Sequence, residues 1–171
     1  MSSTGNGNKL HQDLNILIYG YGNPGRQDDG LGNAMIEKLE KWVAKKNLKG
    51  IHFDSNYQLN IEDAAEIADR DLVIIIDAST EDIEDFVLTQ VDSSTNVAFT
   101  SHTASPGYIV SLCRNLYDKV PATWLLHIKG YEWAFKEGLS ENAKANLEDA
   151  FELMKEKLEN PHELIDAFEP F

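Results

Sequence analysis

Two adjacent carboxylates, Asp28 and Asp29, follow the glycine-rich stretch Gly20-Tyr21-Gly22-Asn23-Pro24-Gly25 and precede a helical apolar pattern. A third acid, Asp77, stands directly after the apolar run Leu72-Val73-Ile74-Ile75-Ile76, and His102 follows Ser101 further on. Two carboxylates and an imidazole brought to one place suit a borderline divalent metal with an open coordination position. Each residue also has a plainer reading. A carboxylate at a helix start accepts backbone N–H bonds and complements the dipole, for about 0.5–2 kcal/mol. One of Asp28 and Asp29 is expected to do this, which leaves the other free to face a crevice. His102 alone reads as a polar loop residue, and His11, His52, His127 and His162 show that histidine is not scarce. Asp77 is harder to dismiss, because a buried, unpaired carboxylate is costly and requires a cation, a hydrogen-bond network or a metal.

The elements that must hold these residues follow from periodicity. Residues 14–19 read as a buried strand, and Leu31, Met35, Leu39, Trp42 and Val43 place a helix over about 30–46. A second strand is expected over 51–57. Asn60 is then expected to cap a short helix with Ile61, Ala64, Ala65 and Ala68 on one face. Residues 72–76 are apolar without alternation, as in a central parallel strand covered on both faces. The strand expected over 86–91 follows too soon for a helical crossover, so it should run antiparallel at an edge. A short extended piece over 96–100 leads to Ser101-His102. Ser105-Pro106 opens a helix whose Ile109, Leu112, Cys113 and Leu116 share a face, and 122–128 is the last strand. Ser140 opens the final helix, with Ala143, Leu147, Ala150, Phe151, Met154 and Leu158 in one stripe, and Asn160-Pro161 closes it.

Helices alternating with buried strands define an α/β fold, a three-layer α/β/α sandwich. In such sheets ligands sit in the crevice outside the carboxyl ends of the strands. Asp29, Asp77 and His102 all follow strands or strand-like segments and are expected to meet there. One domain over 14–160 is expected, with 1–13 a disordered N-terminal tail and 161–171 a C-terminal tail.

Composition narrows the function classes. The chain has 171 residues, 42% of them hydrophobic, which is enough for one sizeable core. Its 29 acidic against 15 basic residues give a net charge of −14, which opposes binding to a phosphate backbone, so no nucleic-acid partner is expected. One cysteine, Cys113, rules out an internal disulfide framework and a cysteine-cluster metal site. The polar start is not expected to act as a signal peptide, and no apolar run approaches the ~20 residues of a membrane span. A cytoplasmic protein with no membrane association is expected.

The glycine stretch matches G-x-G-x-x-G after a strand, but a bare match is weak. Pro24 interrupts the turn, Asp28-Asp29 would repel a phosphate at the helix start, and Asp54 comes later than the expected acidic partner. Nucleotide binding is therefore disfavoured. The nucleophile-elbow and H-E-x-x-H patterns are absent.

Taken together, G-x-G-N-x-x-x-x-D-D-G-x-G at Gly20 to Gly32, I-I-D-A at Ile75 to Ala78 and Ser101-His102 resemble the hydrogenase maturation endopeptidases. Gly130-Tyr131-Glu132 followed by Gly138-Leu139-Ser140 resembles that family's segment before the last helix, so the resemblance runs from Asn15 to about Leu158. It implies a mostly parallel, mixed five-stranded sheet between helices. It also implies an enzyme that removes a C-terminal extension from the large-subunit precursor of a nickel-iron hydrogenase once nickel is installed. The positions matching Asp29, Asp77 and His102 are those implicated in engaging the metal, here the nickel carried by the substrate, and so in catalysis. Asp28 is left as helix cap or as support for a ligand. Trp133 stands where a proline is expected in many relatives, and Gln27 is also a departure. Two other readings remain: a non-catalytic, metal-dependent binding module for a metalloenzyme precursor, and a peptidyl-tRNA hydrolase-like enzyme, which the acidic charge disfavours.

Overall fold

The apolar run at Leu72 to Ile76 forms the middle of a five-stranded sheet, in a computed structural model that describes residues 13–92 and 104–170. In chain order the elements are β1 (Ile16–Tyr21), a 3-10 turn (Gln27–Gly30), α1 (Leu31–Lys46), β2 (Ile51–Asn56), α2 (Asp63–Ala68) and β3 (Leu72–Ser79). They continue with β4 (Phe86–Gln90), α3 (Pro106–Tyr117), β5 (Ala122–Lys129), α4 (Glu141–Glu159) and α5 (His162–Ala167). The strand order is β2-β1-β3-β5-β4, parallel except for β4, which pairs antiparallel with β5 at the edge. This is the mixed α/β sandwich expected, with the edge strand in its expected direction.

Side chains alternate across a strand, so each strand feeds two cores. Ile16, Ile18, Leu72, Ile74, Ile76, Leu126 and Ile128 pack with Met35 and Leu39 of α1 and with Leu147 and Met154 of α4. On the other face Leu17, Tyr19, Val73 and Ile75 pack with Ala64 and Ile67 of α2 and with Ile109 and Cys113 of α3. Cys113 is buried, as its place in the pattern requires. The alternation carries Tyr21 and Asp77 onto this second face, just beyond the last apolar residues.

Several local expectations shift. β1 ends at Tyr21 rather than 19, because Gly20 and Tyr21 keep pairing with Ile76 and Asn56 while α1 presses close: a Cβ on Gly20 would lie 2.5 Å from the Gly32 carbonyl oxygen. β3 continues through Asp77 to Ser79, in register with His127 and Lys129 of β5. Asn60 does not cap α2. Instead Asp63 reaches back, its Oδ2 accepting from the Asn60 N–H at 2.9 Å, and the buried face uses Ile67 where Ala65 had been expected. Ser105 does cap α3, but Leu116 is exposed rather than part of the buried face formed by Ile109 and Cys113. The piece expected over 96–100 lies outside the described residues. Beyond Pro161 the expected tail forms α5, whose Leu164 is buried and accepts a hydrogen bond from Trp124 Nε1 at 3.0 Å through its carbonyl. Among the described residues no helix is long and apolar enough to cross a membrane.

Candidate active site

The turn between β1 and α1 brings Asp29 to the carboxyl edge of the sheet. Gly22 permits this: its φ is +144°, and a Cβ there would collide with the Asp29 carbonyl oxygen. Asp29 Oδ2 in turn accepts from the Asn23 N–H at 3.0 Å, which ties the carboxylate to the glycine loop. Neither Asp28 nor Asp29 caps α1, contrary to expectation, since Gly30 occupies the cap with no side-chain bond.

Asp28 does something else. Its side chain is fully buried and accepts from the N–H groups of Tyr131, Glu132 and Ser140 at 2.7, 3.0 and 2.7 Å, and from the Ser140 hydroxyl at 2.7 Å. Burial alone would raise its pKa, but bonds from Ser140, Tyr131 and Glu132 outweigh burial and hold the carboxyl below the usual range. Ser140 meanwhile caps α4, its Oγ accepting from the Ala143 N–H at 3.2 Å. Gln27, buried with a left-handed φ of 44°, adds a bond from the Ala134 N–H to Oε1 at 2.9 Å. The departure at Gln27 thus fastens the 130–140 segment to the turn that carries Asp29.

Asp77 emerges from β3 beside this turn, and Tyr21 Oη donates to its Oδ2 at 3.0 Å. Burial pushes the Asp77 carboxyl up to about 6. The nearby Asp29 charge adds to the rise, while the Tyr21 bond opposes it. The Tyr21 phenol is pushed well above its ordinary value by burial and by the Asp77 and Asp29 charges. Asp29 thus lies near enough for its charge to act on Asp77 and on Tyr21, which is bonded to Asp77. No ion pair links either acid to a cation among the described residues. His102, the remaining expected ligand, lies outside the described residues. Tyr21 escaped the sequence reading; the alternation Tyr19, Tyr21 was the available signal.

Beside the glycine loop lies a cleft of about 240 Å³ lined by Gly22, Pro24, Asn33, Ser55, Asn56 and Tyr57. Larger depressions lie elsewhere. One of about 550 Å³ adjoins Asp71 and Ala122 at the opposite end of the strands, and one of about 500 Å³ lies between α1 and α4. His127, in register with Asp77, places Nε2 3.0 Å from Thr89 Oγ1, and burial lowers its pKa. Separately, Asp54, Asp63 and Glu66 bring ligand atoms within 4.8 Å of one another, with Tyr19 Oη donating to Asp63 at 2.8 Å. That acidic group on β2 and α2 has nothing beside it that marks a ligand.

The mostly parallel, mixed five-stranded sheet with helices on both faces is the fold of the hydrogenase maturation endopeptidases. The likeness extends to particular solved structures. The chain matches the hydrogenase maturating endopeptidase HybD from E. coli with TM-score 0.67 at 18% identity, over 86% of this chain and 94% of that one. It matches the [NiFe] hydrogenase maturation protease HycI from Thermococcus kodakarensis with TM-score 0.62 at 22% identity, over 85% and 93%. A hydrogenase 2 maturation peptidase from a Thaumarchaeota archaeon matches with TM-score 0.60 at 16% identity, over 84% and 97%. No protein-family model matches the sequence, and no curated protein is significantly similar to it.

Proposed function

We propose that the chain is a maturation endopeptidase that removes the C-terminal extension of a hydrogenase large-subunit precursor once nickel is in place. The observation that carries this reading is the Asp29–Asp77 pair: two acids at the sheet edge, near enough for the Asp29 charge to act on the buried Asp77 carboxyl, with no described cation to balance them. Like charges that feel one another at a partly desolvated edge favour arrival of a dication, which lowers the cost of keeping both ionised. In this reading Asp29 and Asp77 supply carboxylate oxygens to the substrate's nickel, and His102 supplies an imidazole nitrogen. Tyr21 fixes the Asp77 carboxylate by donating to Oδ2, so the ligand oxygen is already oriented when the substrate arrives. The cleft beside Gly22 then receives the extended chain next to the scissile bond. The reaction adds one water across one peptide bond, leaving a new carboxyl terminus on the precursor and an amino terminus on the released fragment.

The deciding experiment is the intact mass of a nickel-loaded precursor after incubation with this protein, beside a nickel-free control. Loss of a C-terminal fragment from the loaded form alone supports the reading, and Asp77→Asn should abolish that loss. Nickel-dependent association without any change in mass would replace it with the binding-module reading.

A further inference from the structure

The segment after β5 has no regular secondary structure, yet its main chain is held along its length. Tyr131 and Glu132 donate to Asp28 Oδ2, Asp28 N–H donates to the Glu132 carbonyl, and Ala134 N–H donates to Gln27 Oε1. Gln27 N–H reaches the Lys136 carbonyl at 2.9 Å, and Arg26 Nε reaches the Trp133 carbonyl at 3.0 Å. Trp133 folds inward over Gly130, where a Cβ would lie 2.8 Å from its ring. Phe135, two residues on, is 85% exposed, and Tyr131 is 39% exposed. The Arg26 guanidinium stands 5.5 Å from the centre of the Phe135 ring.

Single exposed aromatics are ordinary. Here, however, Phe135 and Arg26, of the types that dominate binding hot spots, stand together on a backbone hydrogen-bonded to residues 26–28, while Tyr131 turns its hydroxyl to Asn146. A side chain held in place before binding loses little freedom on binding, which favours affinity. Folding the chain gains nothing from fixing an exposed phenylalanine, so the rigid mount points to an external partner.

We infer that the 131–135 strap is a docking platform for the folded body of the same precursor whose C-terminal segment enters the Asp29–Asp77 site; this rests on the function proposed above. The partner surface offers an apolar pocket for Phe135, edged by a carboxylate for the exposed Arg26, whose Nε donates to the Trp133 carbonyl. The strap and the carboxylate pair are joined through the continuous residues 26–29, so docking at one sets the substrate's position at the other.

The test compares wild type, Phe135→Ala and Phe135→Leu on a nickel-loaded precursor, measuring cleavage kinetics and, by biosensor, association with the precursor. Phe135→Ala is expected to raise KM and weaken association about tenfold or more, with kcat within about twofold and the melting temperature unchanged. Phe135→Leu should recover part of the loss, and rising salt should weaken wild-type association through Arg26. Unchanged KM and association in Phe135→Ala, with wild type active, would overturn the inference alone. Wild type that binds without cleaving, and binds less well as Phe135→Ala, would overturn the proposed activity but sustain the platform. No binding by wild type would overturn both. A concentration-dependent dimer lost in Phe135→Ala would assign the surface to a second copy and overturn the choice of partner.

Discussion

Replacing Asp77 with asparagine should stabilise the folded protein at neutral pH while removing its activity. In the native state the Asp77 carboxyl titrates at about 6, against an ordinary value of 3.8, chiefly because it is buried and secondly because Asp29 is near. A difference of roughly two units corresponds to about 3 kcal/mol at 1.36 kcal/mol per unit. The sign follows from proton binding. Between about pH 4 and 6 the folded chain holds the Asp77 proton that the unfolded chain has lost, so stability falls as pH rises through this window. Below about pH 4 both states are protonated and the group costs nothing. Above about pH 6 the full cost applies. Asparagine does not titrate, and its Oδ1 still accepts from Tyr21, so Asp77→Asn should lack this loss. The advantage over wild type should be absent near pH 4 and reach up to about 3 kcal/mol at pH 7.5, or about 6–12 °C in melting temperature for a chain of this size. Urea denaturation of both proteins at the two pH values measures it. An Asp77→Asn protein no more stable than wild type at pH 7.5, or a difference equal at both pH values, would refute the reasoning.

Other perturbations test the surroundings of that site. Asp29→Asn removes one cause of the raised Asp77 value, so the Asp77 carboxyl should titrate lower than about 6 when followed by carbon-detected NMR. Asp28→Asn should destabilise by about 1.5–3 kcal/mol, because charge-assisted bonds to Tyr131, Glu132 and Ser140 weaken, and amide exchange there should accelerate. Since the Asp28 carboxyl is held low, its contribution is present at neutral pH and is lost as pH falls through its lowered value, so wild type and Asp28→Asn should converge in acid. Gly22→Ala should cost about 1–3 kcal/mol and displace Asp29, given the positive φ and the collision with the Asp29 carbonyl, and should reduce activity more than stability. Truncation after Pro161 should expose Trp124 and shift its fluorescence to the red, because α5 covers that indole.

What was legible in the sequence was whatever a local pattern expresses. The unbroken run before Asp77 marked the central strand and placed an acid at its mouth, and β4 was too close to β3 for a parallel crossover. Ser105 and Ser140 were recognisable as caps because a cap and its helix are contiguous. Asp28 was misread for the opposite reason: its hydrogen bonds go to Tyr131, Glu132 and Ser140, more than a hundred positions away, and no window around residue 28 contains that information. The Tyr21–Asp77 bond depends on the register between β1 and β3, which periodicity does not specify. α5 was missed because Pro161 ends α4, and the six-residue helix that follows is too short to establish a period.

The Asp28 clasp also bears on the order in which the molecule is completed during synthesis. The turn with Asp29 leaves the ribosome early, but the groups that brace it sit 103 to 112 residues downstream. A nascent chain that has made β1, α1 and β3 therefore has both carboxylates, but its Asp28 lacks the donors that hold the turn. The turn locks only when Ser140 emerges and α4 begins to form. Competence thus arrives with the last fifth of the polypeptide, and a chain released short of it would keep most of the sheet without a usable site.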